Sequence, residues 1–154
     1  KVWWLVTPQN PLKDSRDSAP LAQRLQSART HARGRAMVVS DLESRWGTQF
    51  SIDLLKRLKR RCPGVRFVWV MGSDNLGGFH RWRRWHEFAR TVPIAFVARP
   101  SALAKARFAP AARRFAAARE ANQPGALADA APPAWLWLNG PLNPRSSTAL
   151  RQKM

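Results

Sequence analysis

Asp74 follows the apolar run Phe67-Val68-Trp69-Val70-Met71, within Gly72-Ser73-Asp74-Asn75-Leu76. An apolar run without a polar interruption reads as a parallel strand buried on both faces. A glycine and a carboxylate where such a strand ends offer a close backbone approach and an acceptor for ribose hydroxyls, at the place where open α/β sheets bind ligands. The plainer alternative is a turn aspartate bonded to its own backbone. Phe79, Trp82 and Trp85 follow at intervals of three, which places them on one side of the next helix. Trp82 suits stacking on a flat heteroaromatic ring, and Trp85 suits the core. With eight tryptophans in the chain most must be core, so Trp82 shares that alternative.

Ser146-Ser147-Thr148, with Arg151 one turn on, combines hydroxyls, free backbone N–H groups and a guanidinium. That combination holds a phosphate chain at a helix N-terminus, and an ordinary helix cap is the competing reading. Lys13, after the loop Thr7-Pro8-Gln9-Asn10-Pro11-Leu12, offers a second phosphate contact or is a plain surface lysine. No residue presents itself as a catalyst. His80 and His86 have no acidic partner in register, so neither a metal site nor a triad is expected, and His31 reads as an exposed helix-end residue. Cys62 reads as a half-buried residue near a helix end rather than a nucleophile.

The elements that must position these groups alternate. Val2–Val6 reads as a buried strand. Ser18-Ala19-Pro20 opens a helix with Leu21, Leu25 and Ala28 on its apolar stripe, ended by Gly34. Ala36–Val39 is a short strand, followed by the acidic Ser40-Asp41-Leu42-Glu43. Ser51 caps a helix through Cys62, with Ile52, Leu54, Leu55 and Leu58 inward and Lys56, Arg57, Lys59, Arg60 and Arg61 outward. After the Phe67–Met71 strand, a helix is expected over Phe79–Arg90, then a strand over Ile94–Val97 closed by Arg99-Pro100. An Ala- and Arg-rich helix to about Glu120 and a linker to Ala131 precede a last strand, Trp135–Leu138. The expected fold is α/β, a parallel sheet with helices on both faces, in a single domain over 1–154. Each chemically informative segment follows a strand, where such sheets bind ligands.

The net charge of +18 invites a nucleic-acid reading. Against it, the arginines are scattered through nearly every segment, and the absence of Tyr beside abundant Ala points to coding bias as much as to a patch. Nucleic acid is therefore not the expected partner. A positive field also attracts phosphorylated small molecules. A single cysteine fits a reducing compartment, and no apolar run approaches the roughly 20 residues that span a bilayer. A cytoplasmic location is expected. The first residue is Lys, so the chain is expected to begin inside a longer protein.

Thr7-Pro8-Gln9-Asn10-Pro11-Leu12-Lys13, Gly47-Thr48-Gln49-Phe50-Ser51-Ile52-Asp53-Leu54-Leu55, Gly72-Ser73-Asp74-Asn75-Leu76 with Phe79 and Trp82, Val97-Ala98-Arg99-Pro100, and Ser146-Ser147-Thr148-Ala149-Leu150-Arg151 stand in the order seen in bacterial nicotinate-nucleotide adenylyltransferases. The sequence resembles that family over nearly its whole length, with only 101–131 carrying no match. The resemblance implies a Rossmann-like nucleotidyltransferase fold and adenylyl transfer from ATP, with Mg²⁺, to nicotinate mononucleotide. It implies that Gly72 and Asp74 meet the ATP sugar and that Ser147, Thr148 and Arg151 meet its phosphates. Trp82 would stack on the pyridine ring. Ser51 and the backbone around Ile52 and Arg83 would hold the pyridine carboxylate, with Asn10 and Lys13 near the substrate phosphate. Arg99, in the Val-Ala-Arg-Pro segment, joins the substrate side.

The family's first strand and its Gly-Gly-x-Phe-x-Pro-x-His-x-Gly-His loop are not in this sequence. That first β-α unit is expected to be absent and central to the sheet, and the chain by itself is expected to be inactive for lack of the histidines. Two rival readings remain. One is a non-catalytic module docking RNA or another polyanion. The other is an adenylyltransferase for a related substrate, such as nicotinamide mononucleotide or pantetheine phosphate.

Overall fold

A computed structural model describes residues 1–8, 19–99, 108–119 and 124–140. The chain divides into two compact units, Lys1–Pro63 and Gly64–Met154.

In the first unit, β1 (Val2–Leu5), α1 (Leu21–His31) and β2 (Met37–Ser40) form a parallel crossover. The register runs from Val2 opposite Met37 to Leu5 opposite Ser40. Gly34, at φ +88°, supplies the left-handed turn between α1 and β2. The short α2 (Leu42–Arg45) leaves β2 directly. In α3 (Ser51–Arg61) the expected faces hold: Ile52, Leu54, Leu55 and Leu58 are buried, and the last turn carries Lys59, Arg60 and Arg61. Cations there oppose the negative end of the helix dipole. Ser51 is the first helical residue rather than the cap. Phe50 takes the cap position with extended backbone, and its carbonyl accepts from Asp53 N–H at 3.0 Å.

In the second unit, β3 (Trp69–Gly72) runs into α4 (Ser73–Leu76). A 3₁₀ turn (Phe79–Arg81), α5 (Trp85–Ala89), β4 (Ile94–Val97), α6 (Pro110–Arg114), a second 3₁₀ turn (Ala116–Ala118) and β5 (Trp135–Leu138) complete it. All pairings are parallel in the order β3-β4-β5. The core of this unit contains Leu76, Phe79, Phe88, Val92, Ile94, Phe96 and Leu136.

Two further expectations need correction. The single helix over Phe79–Arg90 is broken, because Arg84 adopts left-handed backbone at φ 53°. The reason is geometric. Phe79 and Phe88 would point half a turn apart on one continuous helix, nine residues at 3.6 per turn. Their rings instead meet edge to face at 5.8 Å, with Trp82 against both at 5.3 and 5.8 Å.

The strands expected to be fully buried are not. In β1, Val2, Trp3 and Trp4 are 50%, 42% and 41% exposed, and Val70 in β3 is 53% exposed. The described strands form a two-stranded and a three-stranded sheet, both parallel. Among the described strands, β1 and β3 each pair along one edge only, and a strand is covered by its neighbours as much as by its own composition.

Candidate active site

The carboxyl ends of β3 and β4 lie level, with Gly72 opposite Val97. Beyond them the chain makes a small interlocked cluster. Ser73, fully buried, accepts a hydrogen bond from the backbone N–H of Arg99 at 3.0 Å. The Arg99 guanidinium Nη1 then reaches Asp74 Oδ2 at 3.2 Å. Both side chains remain nearly half exposed. A pair so placed adds at most about 1 kcal/mol to stability, so its consequence is orientation. Gly72 permits the arrangement: a Cβ there would press into Asp74 Oδ1 and come within 2.9 Å of Arg99 Nε. The Asp74 carboxylate faces a guanidinium from just beyond β4 and is nearly half exposed.

Trp82 and Arg83 lie in the same unit, between the 3₁₀ turn and α5. Trp82 is half-buried, braced edge-on by Phe79 and Phe88. Trp85 is likewise half-buried and packs on Phe79 and on Phe115. Arg83 is exposed, while its neighbour Arg84 is ion-paired to Glu87 at 2.6 Å.

In the first unit, Ser51 is half-buried in the opening turn of α3, and the Ile52 side chain belongs to the core. The first N–H groups of a helix have no partner within it, so the backbone here suits an anionic group. Thr7 begins the loop after β1. Its hydroxyl bonds Glu43, and Arg24 donates to the carbonyls of Thr7 and Pro8 at 2.6 and 2.5 Å. Burial pushes the Glu43 carboxyl above its usual range, partly offset by the Thr7 hydroxyl. Asn10, Lys13, Ser147, Thr148 and Arg151 lie outside the described residues.

Gly72, Asp74 and Arg99 thus come together at the ends of β3 and β4. Ser73, Arg24 and Glu43 were not read as site residues. Glu43 could have been found, since it stands in the acidic segment after β2. Nothing in local sequence ties Arg24 to Thr7, seventeen residues earlier.

A cytidylyltransferase-like family model matches residues 1–153. A Caulobacter protein named "Probable nicotinate-nucleotide adenylyltransferase" is 57% identical over 98% of this chain and 80% of its own length. Proteins of the same name from Cereibacter sphaeroides and Bradyrhizobium are 52% and 48% identical over 98% of the chain, which spans 80% and 79% of their lengths. The chain belongs to the nicotinate-nucleotide adenylyltransferase family. Its α/β units with parallel strands, each ending in a polar segment, are those of a nucleotidyltransferase. Among the described residues no three His, Cys, Asp or Glu side chains group as metal ligands, and no helix is long and apolar enough to cross a membrane.

Proposed function

We propose that this protein transfers the adenylyl group of ATP to nicotinate mononucleotide, as a cytoplasmic enzyme of NAD biosynthesis. The mononucleotide's phosphate oxygen attacks the α-phosphorus of ATP, the bond to the bridging β-phosphate oxygen breaks, and pyrophosphate leaves. The products are nicotinate adenine dinucleotide and pyrophosphate. Such a displacement needs positioning and charge stabilisation rather than a protein nucleophile. The observation that carries this reading is the cluster of Gly72, Asp74 and Arg99 at the carboxyl ends of two adjacent parallel strands, in a chain of this family.

In this reading Asp74, oriented by Arg99, accepts hydrogen bonds from the ATP ribose, and Gly72 keeps the backbone close. Trp82 stacks on the pyridine ring. Its bracing by Phe79 and Phe88 means little side-chain freedom is lost on binding. Ser51, with the backbone at Ile52 and Arg83, receives the pyridine carboxylate. Asn10 and Lys13 meet the mononucleotide phosphate, while Ser147, Thr148 and Arg151 meet the triphosphate. Mg²⁺ enters with ATP as part of the co-substrate; such ions are held largely by substrate phosphates, which suits a protein surface rich in arginine.

Pyrophosphate release tests the assignment. The protein expressed from its complete reading frame should turn over the acid mononucleotide at least about tenfold faster than the amide, because the carboxylate contacts have no counterpart there. Preference for the amide or for pantetheine phosphate would replace the substrate and keep the reaction. The 154 residues alone contain no His-x-Gly-His. They are proposed to bind substrates yet turn over slower by a factor on the order of 10² or more, the effect of removing transition-state stabilisers.

A further inference from the structure

Ser73 is fully buried, at 0% exposure. Enclosing a hydroxyl is unfavourable unless it is hydrogen-bonded, so its partner explains its place. That partner is set by strand pairing. Along β4, alternate residues turn their N–H groups to the same neighbour. Ile94 and Ala98 donate toward β5, to the carbonyls of Ala134 and Leu138 at 2.9 and 3.1 Å. Arg99, the next residue, therefore turns its N–H toward β3. With Gly72 opposite Val97, the next acceptor in that direction belongs to Ser73. Ser73 has already left the strand as the first residue of α4. Its hydroxyl takes the place of a strand carbonyl and accepts from Arg99 N–H at 3.0 Å. One buried hydroxyl thus carries the pairing a step past Gly72 and Val97. The residue it holds bears the guanidinium that reaches Asp74, the neighbour of Ser73, at 3.2 Å. Asp74 and Arg99 are both nearly half exposed, too open for their own attraction to hold one geometry. The fixed point of the cluster lies beneath them, at Ser73.

We propose that Ser73 is a positioning residue for the nucleotide: by holding the Arg99 backbone it fixes where the guanidinium meets Asp74, and so aims the Asp74 carboxylate at the ribose hydroxyls. This role rests on the proposed assignment of Asp74 to the ATP ribose. Ser73 itself touches no substrate and acts through Arg99 and Asp74. Without its hydroxyl the exposed pair must be ordered when the nucleotide binds, a cost felt only through the sugar hydroxyls that Asp74 accepts from.

Equilibrium titration of the protein from its complete reading frame, with ATP and with 2′,3′-dideoxy-ATP, decides it. The unmodified protein should bind ATP about tenfold or more tightly than the dideoxy compound, whose sugar offers the carboxylate no donor. Ser73→Ala should weaken ATP binding about fivefold, the effect of one lost neutral hydrogen bond, and leave the dideoxy compound within about twofold. In an Asp74→Ala background the same change should cost ATP binding less than about twofold, since the two residues act in series. Ser73→Cys, similar in size and a weaker acceptor, carries the comparison if Ser73→Ala does not fold. Equal weakening toward both nucleotides, or no change, would overturn the positioning role while leaving the ribose assignment standing. An unmodified protein that binds the two nucleotides alike would refute the ribose assignment, and the role of Ser73 with it.

Discussion

β1 and β4 are nearly interchangeable as sequences, Val-Trp-Trp-Leu against Ile-Ala-Phe-Val, yet they end in opposite environments. In β4 the first three residues are 3%, 2% and 2% exposed; in β1 they are 50%, 42% and 41% exposed. Among the described residues β4 has a hydrogen-bonded neighbour on each side, whereas β1 has one. Burial of an apolar strand is thus decided by how many edges and faces are covered, not by its hydrophobicity. β3 sits between these cases. Among the described strands it pairs only with β4, and it buries Met71 and exposes Val70. Apolar strands with an open edge are templates for further pairing.

The sharpest way to break this comparison is to truncate matching aromatic residues in the two strands. Phe96→Ala, in the central strand, should cost about 3–5 kcal/mol, read as a large fall in unfolding midpoint. A loss below about 1 kcal/mol would mean that β4 is not the core strand. Gly72→Ala probes the end of the half-covered β3. The added methyl must displace the half-exposed Asp74 or Arg99 side chains, so stability should fall by no more than about 1 kcal/mol while ATP affinity drops. Unchanged ATP binding would remove this corner from the site.

Glu43→Gln sharpens the contrast between buried polar and exposed apolar groups. A carboxyl raised by burial favours the folded state when protonated, so its contribution is fully present below the unfolded value of 4.5 and is lost as pH rises through the folded one. The glutamine variant should therefore be the more stable protein at neutral pH, with the difference vanishing below about pH 4.5 in thermal melts. A difference independent of pH would contradict the burial argument. The smallest effect is expected in β1. Trp4→Ser should change stability by no more than about 0.5 kcal/mol, and should reduce concentration-dependent association in sedimentation.

The parts of the candidate site that the sequence marks are those whose signals are local. A glycine and a carboxylate after an apolar run located the junction at Gly72 and Asp74, and spacing on α3 separated Ile52, Leu54, Leu55 and Leu58 from the basic face. The helix expected over Phe79–Arg90 misled because its aromatic spacing fits a helix until Phe88. Only the demand that Phe79 and Phe88 share one cluster introduces the left-handed Arg84.

The sequence by itself determined the α/β class, the strand-end location of the polar segments and the family, since all three depend on residue type and order along the chain. Tertiary structure alone decided that Ser73 receives Arg99, that Arg99 orients Asp74 and that Arg24 and Glu43 clamp Thr7. These are partnerships between groups 17 to 36 residues apart, made by parallel strands whose ends lie level and, for Arg24, by the helix α1 between them. Periodicity carries no trace of such a partner, because the register that brings two strand ends together is set by pairing across the sheet.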